Sequence, residues 1–105
     1  MIKEAVRIGN IVKDALRIAE FYNHIEYVGA SNLDSCLVEF ENSSKKFIEI
    51  VNEVSGGNVR SYGKSFHWIT IPDDGQGYRR TKKAEVVCDY LKSHGINAFV
   101  EYNLD

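Results

Sequence analysis

"NVRSYGKSFHWITI", residues 58–71, holds two runs of alternating side chains joined at Gly63 and Lys64. Neighbours in a strand point to opposite faces. Arg60 and Tyr62 therefore share one side of the first run, and Phe66, Trp68 and Thr70 share one side of the second. Aromatic and β-branched residues fit a pleated surface, and glycine supplies the turn, so the spacing predicts a β-hairpin. The segments flanking the hairpin then set the topology.

Upstream, "DSCLVEFE" (34–41) alternates as a strand, with Cys36, Val38 and Phe40 on one side and Leu37, Glu39 and Glu41 on the other. "NSSKKFIEIVNEVSGG" (42–57) has helical period. Phe47, Ile50, Val51 and Val54 form its apolar stripe, Asn42 or Ser43 caps it, and Gly56 suits the left-handed position that ends it. Downstream, "PDDGQG" (72–77) is a turn. "YRRTKKAEVVCDYLKSHG" (78–95) is a helix with Ala84, Val87, Cys88 and Leu91 on one face and Gly95 as its stop; "INAFVEYNL" (96–104) is the closing strand. The order over 34–104 is β-α-β-β-α-β. It predicts an α+β class and a ferredoxin-like split β-α-β arrangement, an antiparallel four-stranded sheet with two helices on one face.

Residues 1–26 add an N-terminal amphipathic helix. Ile8, Ile11, Val12, Ala15, Ile18, Ala19, Tyr22 and Ile25 recur at helical spacing, while Gly9 marks either close packing or a weak point. Ile8, Val12, Ala15 and Ala19 form a seam that docks on the rest of the chain or pairs two chains as a homodimer. The whole, 1–105, is the length of a single domain.

Composition narrows the function classes. Hydrophobic residues make up 44% and charged residues 27%, which is globular. The net charge of -2 gives no global field toward nucleic acid or anionic membrane, so any basic site is local. The first 25 residues carry Lys3, Glu4, Arg7, Lys13, Asp14 and Arg17, too many charges for a signal peptide or membrane span. Cys36 and Cys88 lack metal-ligand spacing, and a chain of this size needs no disulfide, so the expected location is the cytoplasm. His24, His67 and His94 form no metal-ligand pair either. No cofactor, metal or catalytic residue is expected, and a small enzyme without an identifiable motif ranks third.

Two surfaces carry the functional expectation. Alternation gathers Tyr62, Phe66, Trp68 and Phe99 on the sheet face away from the two helices, a patch that rarely faces water unused. Either the N-terminal helix lies across it, or bases stack there. "KSFHWITI" resembles the third-strand ribonucleoprotein motif of RNA recognition motifs: Lys64, Phe66, Trp68 and Ile69 match it. Ser65 and His67 replace its small residues, Ile71 replaces its last aromatic, and Leu37 stands where the first strand of that family stacks a base. The resemblance spans eight residues and implies single-stranded nucleic-acid binding.

The second surface is "GYRRTKK" (77–83). Arg79, Arg80, Lys82 and Lys83 stand at a helix start, where the dipole is already positive and acidic residues are preferred. Cations and free N–H groups there attract phosphate or carboxylate, with Arg60 and Lys64 as helpers. The expected role is a small non-enzymatic intracellular interaction protein, an adaptor, regulator or inhibitor of a larger partner. The alternative is a binder of single-stranded nucleic acid or a phosphorylated ligand.

Overall fold

A computed structural model describes residues 2–23, 34–42, 44–62, 66–71 and 78–102. The hairpin tip with Lys64, the expected turn at 72–77 and His24 lie outside them. The described elements are α1 (Ile2–Ala19), a 3-10 turn (Glu20–Tyr22), β1 (Ser35–Glu39), α2 (Lys45–Val54), β2 (Val59–Tyr62), β3 (Phe66–Ile69), α3 (Tyr78–Ser93) and β4 (Asn97–Glu101). The class is α+β.

The four strands form one antiparallel sheet in the order β2-β3-β1-β4. Its register pairs Val59 with Ile69, Ile69 with Cys36, and Cys36 with Val100. The next row on the same face joins His67, Val38 and Ala98. These side chains meet Phe47 and Val51 of α2 and Ala84, Val87, Cys88 and Leu91 of α3 in one core. Each apolar side chain of Val or Leu size buried there contributes about 1.5–3 kcal/mol.

α1 packs against both α2 and α3. Ala5, Ile8, Gly9, Ile11, Val12, Ala15, Leu16 and Ala19 are buried, so the seam of Ile8, Val12, Ala15 and Ala19 is occupied within the chain. This corrects the expectation that the first helix crosses the aromatic sheet face: its stripe meets the helical layer instead. The reason lies in Gly9, where a Cβ would stand 2.6 Å from Val54 Cβ. Only a bare glycine lets the two helix backbones come so near.

Local chemistry sets the helix ends. α2 is capped by Ser44 and not by Asn42, while Ser43 lies outside the described residues: the Phe47 amide donates to Ser44 Oγ at 3.3 Å. Asn42 acts one step earlier, with its Oδ1 accepting from the Ser44 amide at 3.0 Å. At the other end, Gly56 has a φ of 86°, which lets the Gly57 amide donate to the Asn52 carbonyl at 2.8 Å. The Asn52 side chain then accepts from the Val59 amide at 3.0 Å, which aims the chain into β2.

Candidate interaction surface

Leu37 is 3% exposed yet stands outside the core that the helices share. It belongs to the sheet's other face. The register fixes who stands beside it: Arg60 pairs with Trp68, Trp68 with Leu37, and Leu37 with Phe99, giving one row across all four strands. The next row runs Tyr62, Phe66, Glu39 and Asn97. For Tyr62 only the backbone is described.

The rings interlock across rows. Phe66 and Phe99 meet edge to face, with centroids 5.5 Å apart and planes at 86°. That geometry places the positive ring edge against the negative ring face, and adds about 0.5–1.5 kcal/mol beyond area burial. Phe66 and Trp68 are half-buried, and Phe99 is 37% exposed, the most open of the described rings on this face. The face thus has an apolar centre of Leu37, Phe66, Trp68 and Phe99.

Its rim is polar. Asn97 Nδ2 donates to Glu39 Oε1 at 2.9 Å, holding that carboxylate beside the rings. Arg60 is exposed on one side, and Glu101 stands opposite Ser35 on the other. Among the described side chains of this face, two carboxylates therefore oppose one guanidinium. Lys64 lies outside the described residues.

The basic helix start is built differently. Lys83 is only 3% exposed, and its ammonium donates to Asn23 Oδ1 in the turn after α1. Lys82 Nζ lies 5.8 Å from the centre of the Tyr22 ring, a cation–π distance. Arg80 Nε donates to the Asp34 carbonyl at 3.1 Å, and Thr81 Oγ donates to Asp34 Oδ2 at 2.6 Å. Asp34 is buried, so its carboxylate supplies the negative charge that a helix N-terminus favours. Arg79 is half-buried. Lys82 and Lys83 tie α3 to the end of the α1 segment, and Arg80 ties it to the start of β1. Arg60 stands on the opposite face of the sheet and does not join them.

His67 faces the core, buried and stacked on Phe40 with centroids 5.4 Å apart and planes at 24°. Among the described residues neither ring nitrogen has a hydrogen-bond partner, and burial pushes its pKa below the usual histidine value. A neutral imidazole there packs as an aromatic. Among the described residues no group of three or more His, Cys, Asp or Glu is arranged to hold a metal ion, and no helix is long and apolar enough to cross a membrane.

The charge cluster 79–83 was conspicuous in the sequence, whereas its acceptors Asn23 and Asp34 were not. Glu39 and Glu101 were legible as partners of the aromatic face through alternation alone. No known protein family, curated protein or solved structure matches this chain.

Proposed function

We propose that this chain is a small interaction protein, an adaptor, regulator or inhibitor, that engages a larger protein partner through the sheet face opposite its helices. The observation that carries this is the arrangement of that face: an apolar centre of Leu37, Phe66, Trp68 and Phe99 inside a rim of Arg60, Glu39 and Glu101. A desolvated aromatic centre with a polar rim is the anatomy of a protein–protein contact. Among the described residues the rim holds two carboxylates and one guanidinium, which favours a partner with an apolar patch bordered by basic side chains. The sheet order β2-β3-β1-β4 supports a ferredoxin-like arrangement, to which α1 is an addition on the helical side.

Stacking of single-stranded nucleic acid is the second reading, favoured by the packing of α1 away from the rings. The rim argues against it. A backbone of phosphates laid over Phe66 and Phe99 would meet Glu39 and Glu101, and like charges there cost affinity, most of all at low salt.

Trp68 emission separates the two. Short single-stranded RNA and DNA are titrated at low salt. The protein-docking proposal expects no change in emission. Quenching that weakens steeply with salt, and disappears in Phe66→Ala and Phe99→Ala, would transfer the face to nucleic acid.

A further inference from the structure

Cys36 of β1 and Cys88 of α3 lie 52 residues apart in the chain, yet their sulfurs stand 2.7 Å from one another. Both are free thiols, 0% and 1% exposed respectively. The register explains the meeting: Cys36 sits on the helix-facing side of a central strand, between Ile69 and Val100, under the apolar stripe that carries Cys88. An S–S bond measures about 2.04 Å, so an approach of roughly 0.7 Å closes the gap.

A cavity borders one of the two cysteines. It has a volume of about 500 Å³ and is lined by Cys88 together with Lys82, Glu85, Lys92, Val100 and Tyr102. Cys36 is not among its lining residues. Tyr102 donates its hydroxyl to Glu85 Oε2 at 3.0 Å, which fixes one wall. Ammonium and carboxylate groups both face this space, which suits a small zwitterionic molecule.

We propose that Cys36 and Cys88 are the site of an intrachain disulfide, formed by exchange with a small zwitterionic disulfide of the glutathione class that enters through this cavity. The Cys88 thiol loses its proton and its sulfur attacks one sulfur of the incoming disulfide. A mixed disulfide forms at Cys88 and the first small thiolate leaves, taking up a proton. The Cys36 thiol then loses its proton and its sulfur attacks the Cys88 sulfur, expelling the second small thiol. Two protein thiols are oxidised, one small disulfide is reduced to two thiols, and protons balance.

The order of events follows from the same geometry. Cys88 lines the cavity and Cys36 does not, while contact with Cys88, and then burial, push the Cys36 thiol well above the usual thiol range. Capping Cys88 removes the first of these causes and places a cleavable bond beside the Cys36 sulfur. Cys88 is the entry thiol and Cys36 the resolving one.

The folded protein is incubated with glutathione disulfide, then digested without reduction and mapped by mass spectrometry. The expected product is a cross-linked peptide joining residues 36 and 88, with the chain lighter by two hydrogen masses and no glutathione retained. Cys36→Ala is expected to hold one glutathione at Cys88; Cys88→Ala is expected to hold none while folded. Where a variant fails to fold, the wild-type time course reads the order, with the Cys88 adduct preceding the cross-link. Two unmodified thiols at the end of the incubation, glutathione retained at Cys88 of the wild type, or an adduct on Cys36 of folded Cys88→Ala would each overturn the proposal.

Discussion

A Cβ placed on Gly9 would stand 2.6 Å from Val54 Cβ and 3.1 Å from the Val51 carbonyl oxygen. α1 therefore meets α2 at a contact with no room for a methyl group. In an isolated helix, alanine is favoured over glycine by about 1 kcal/mol. Here the overpacking, typically about 1–3 kcal/mol, acts against that gain and is larger, because Val54 is β-branched and its Cβ is fixed to the backbone. Gly9→Ala is expected to lower unfolding free energy by about 1–2 kcal/mol in urea denaturation. An increase would show that α1 sits further from α2 than described.

Ala15→Asp tests the same docking from the middle of the seam. Ala15 is fully buried, so an aspartate there loses its hydration without gaining a partner in that seam. The expected loss is several kcal/mol, read as a large fall in Tm. An unchanged Tm would mean that the first helix contributes nothing to the folded core.

How much of this was legible in the sequence depends on what each pattern encodes. Period-two alternation in "SCLVE" and "FHWI" separates Val38 and His67 from Leu37 and Trp68, and the register confirms the partition residue by residue. The stripe of α1 was equally plain, but an apolar stripe says only that a helix is covered, not by what. The clue was Gly9, an unfavourable residue in mid-helix whose cost is explained by Val54. The basic start of α3 was legible as charge but not as contact. Charge counting registers four cations, whereas the acceptors of two of them lie far off in the chain: Asp34 is 46 residues from Arg80 and Asn23 is 60 from Lys83. The cap of α2 was missed by one residue for a smaller reason, since Asn42, Ser43 and Ser44 are all good caps and only geometry chooses Ser44.

Lys83 separates structural from surface charge. Its ammonium is buried against Asn23, so Lys83→Glu places a carboxylate facing an amide oxygen in a dry site. A loss of at least about 2 kcal/mol is expected. Lys46→Glu, on an exposed position in the first turn of α2, is the control and should stay within about 0.5 kcal/mol of the wild type. Equal effects in the two variants would return Lys83 to the surface and reopen the basic cluster as a binding site.

His67 gives the fold a defined pH dependence. Burial lowers its folded pKa below the ordinary value of 6.5. As pH falls, the unfolded chain takes up the proton first. The contribution is therefore whole above about 6.5 and declines below it, until the folded pKa is reached. Between pH 7 and 5.5 the slope from this one group is at most about 1.4 kcal/mol per pH unit. His67→Phe keeps the stack on Phe40 and removes that slope; the same pH dependence in both proteins would show that His67 is not the group responsible.

The docking face is reached most directly by a photo-crosslinking side chain at position 99, compared with one at the exposed Glu49 of α2, in the cell that makes the protein. The account predicts a discrete protein adduct from position 99 and none from position 49. That adduct should vanish in Phe66→Ala and weaken when Glu39 and Glu101 are changed to lysine, while Tm in Phe66→Ala stays high enough to keep the chain folded. Sedimentation of the purified chain reports whether the captured partner is a second copy. Adducts that form equally from both positions, that survive Phe66→Ala, or that prove to be nucleic acid would contradict the claim that this sheet face binds a protein.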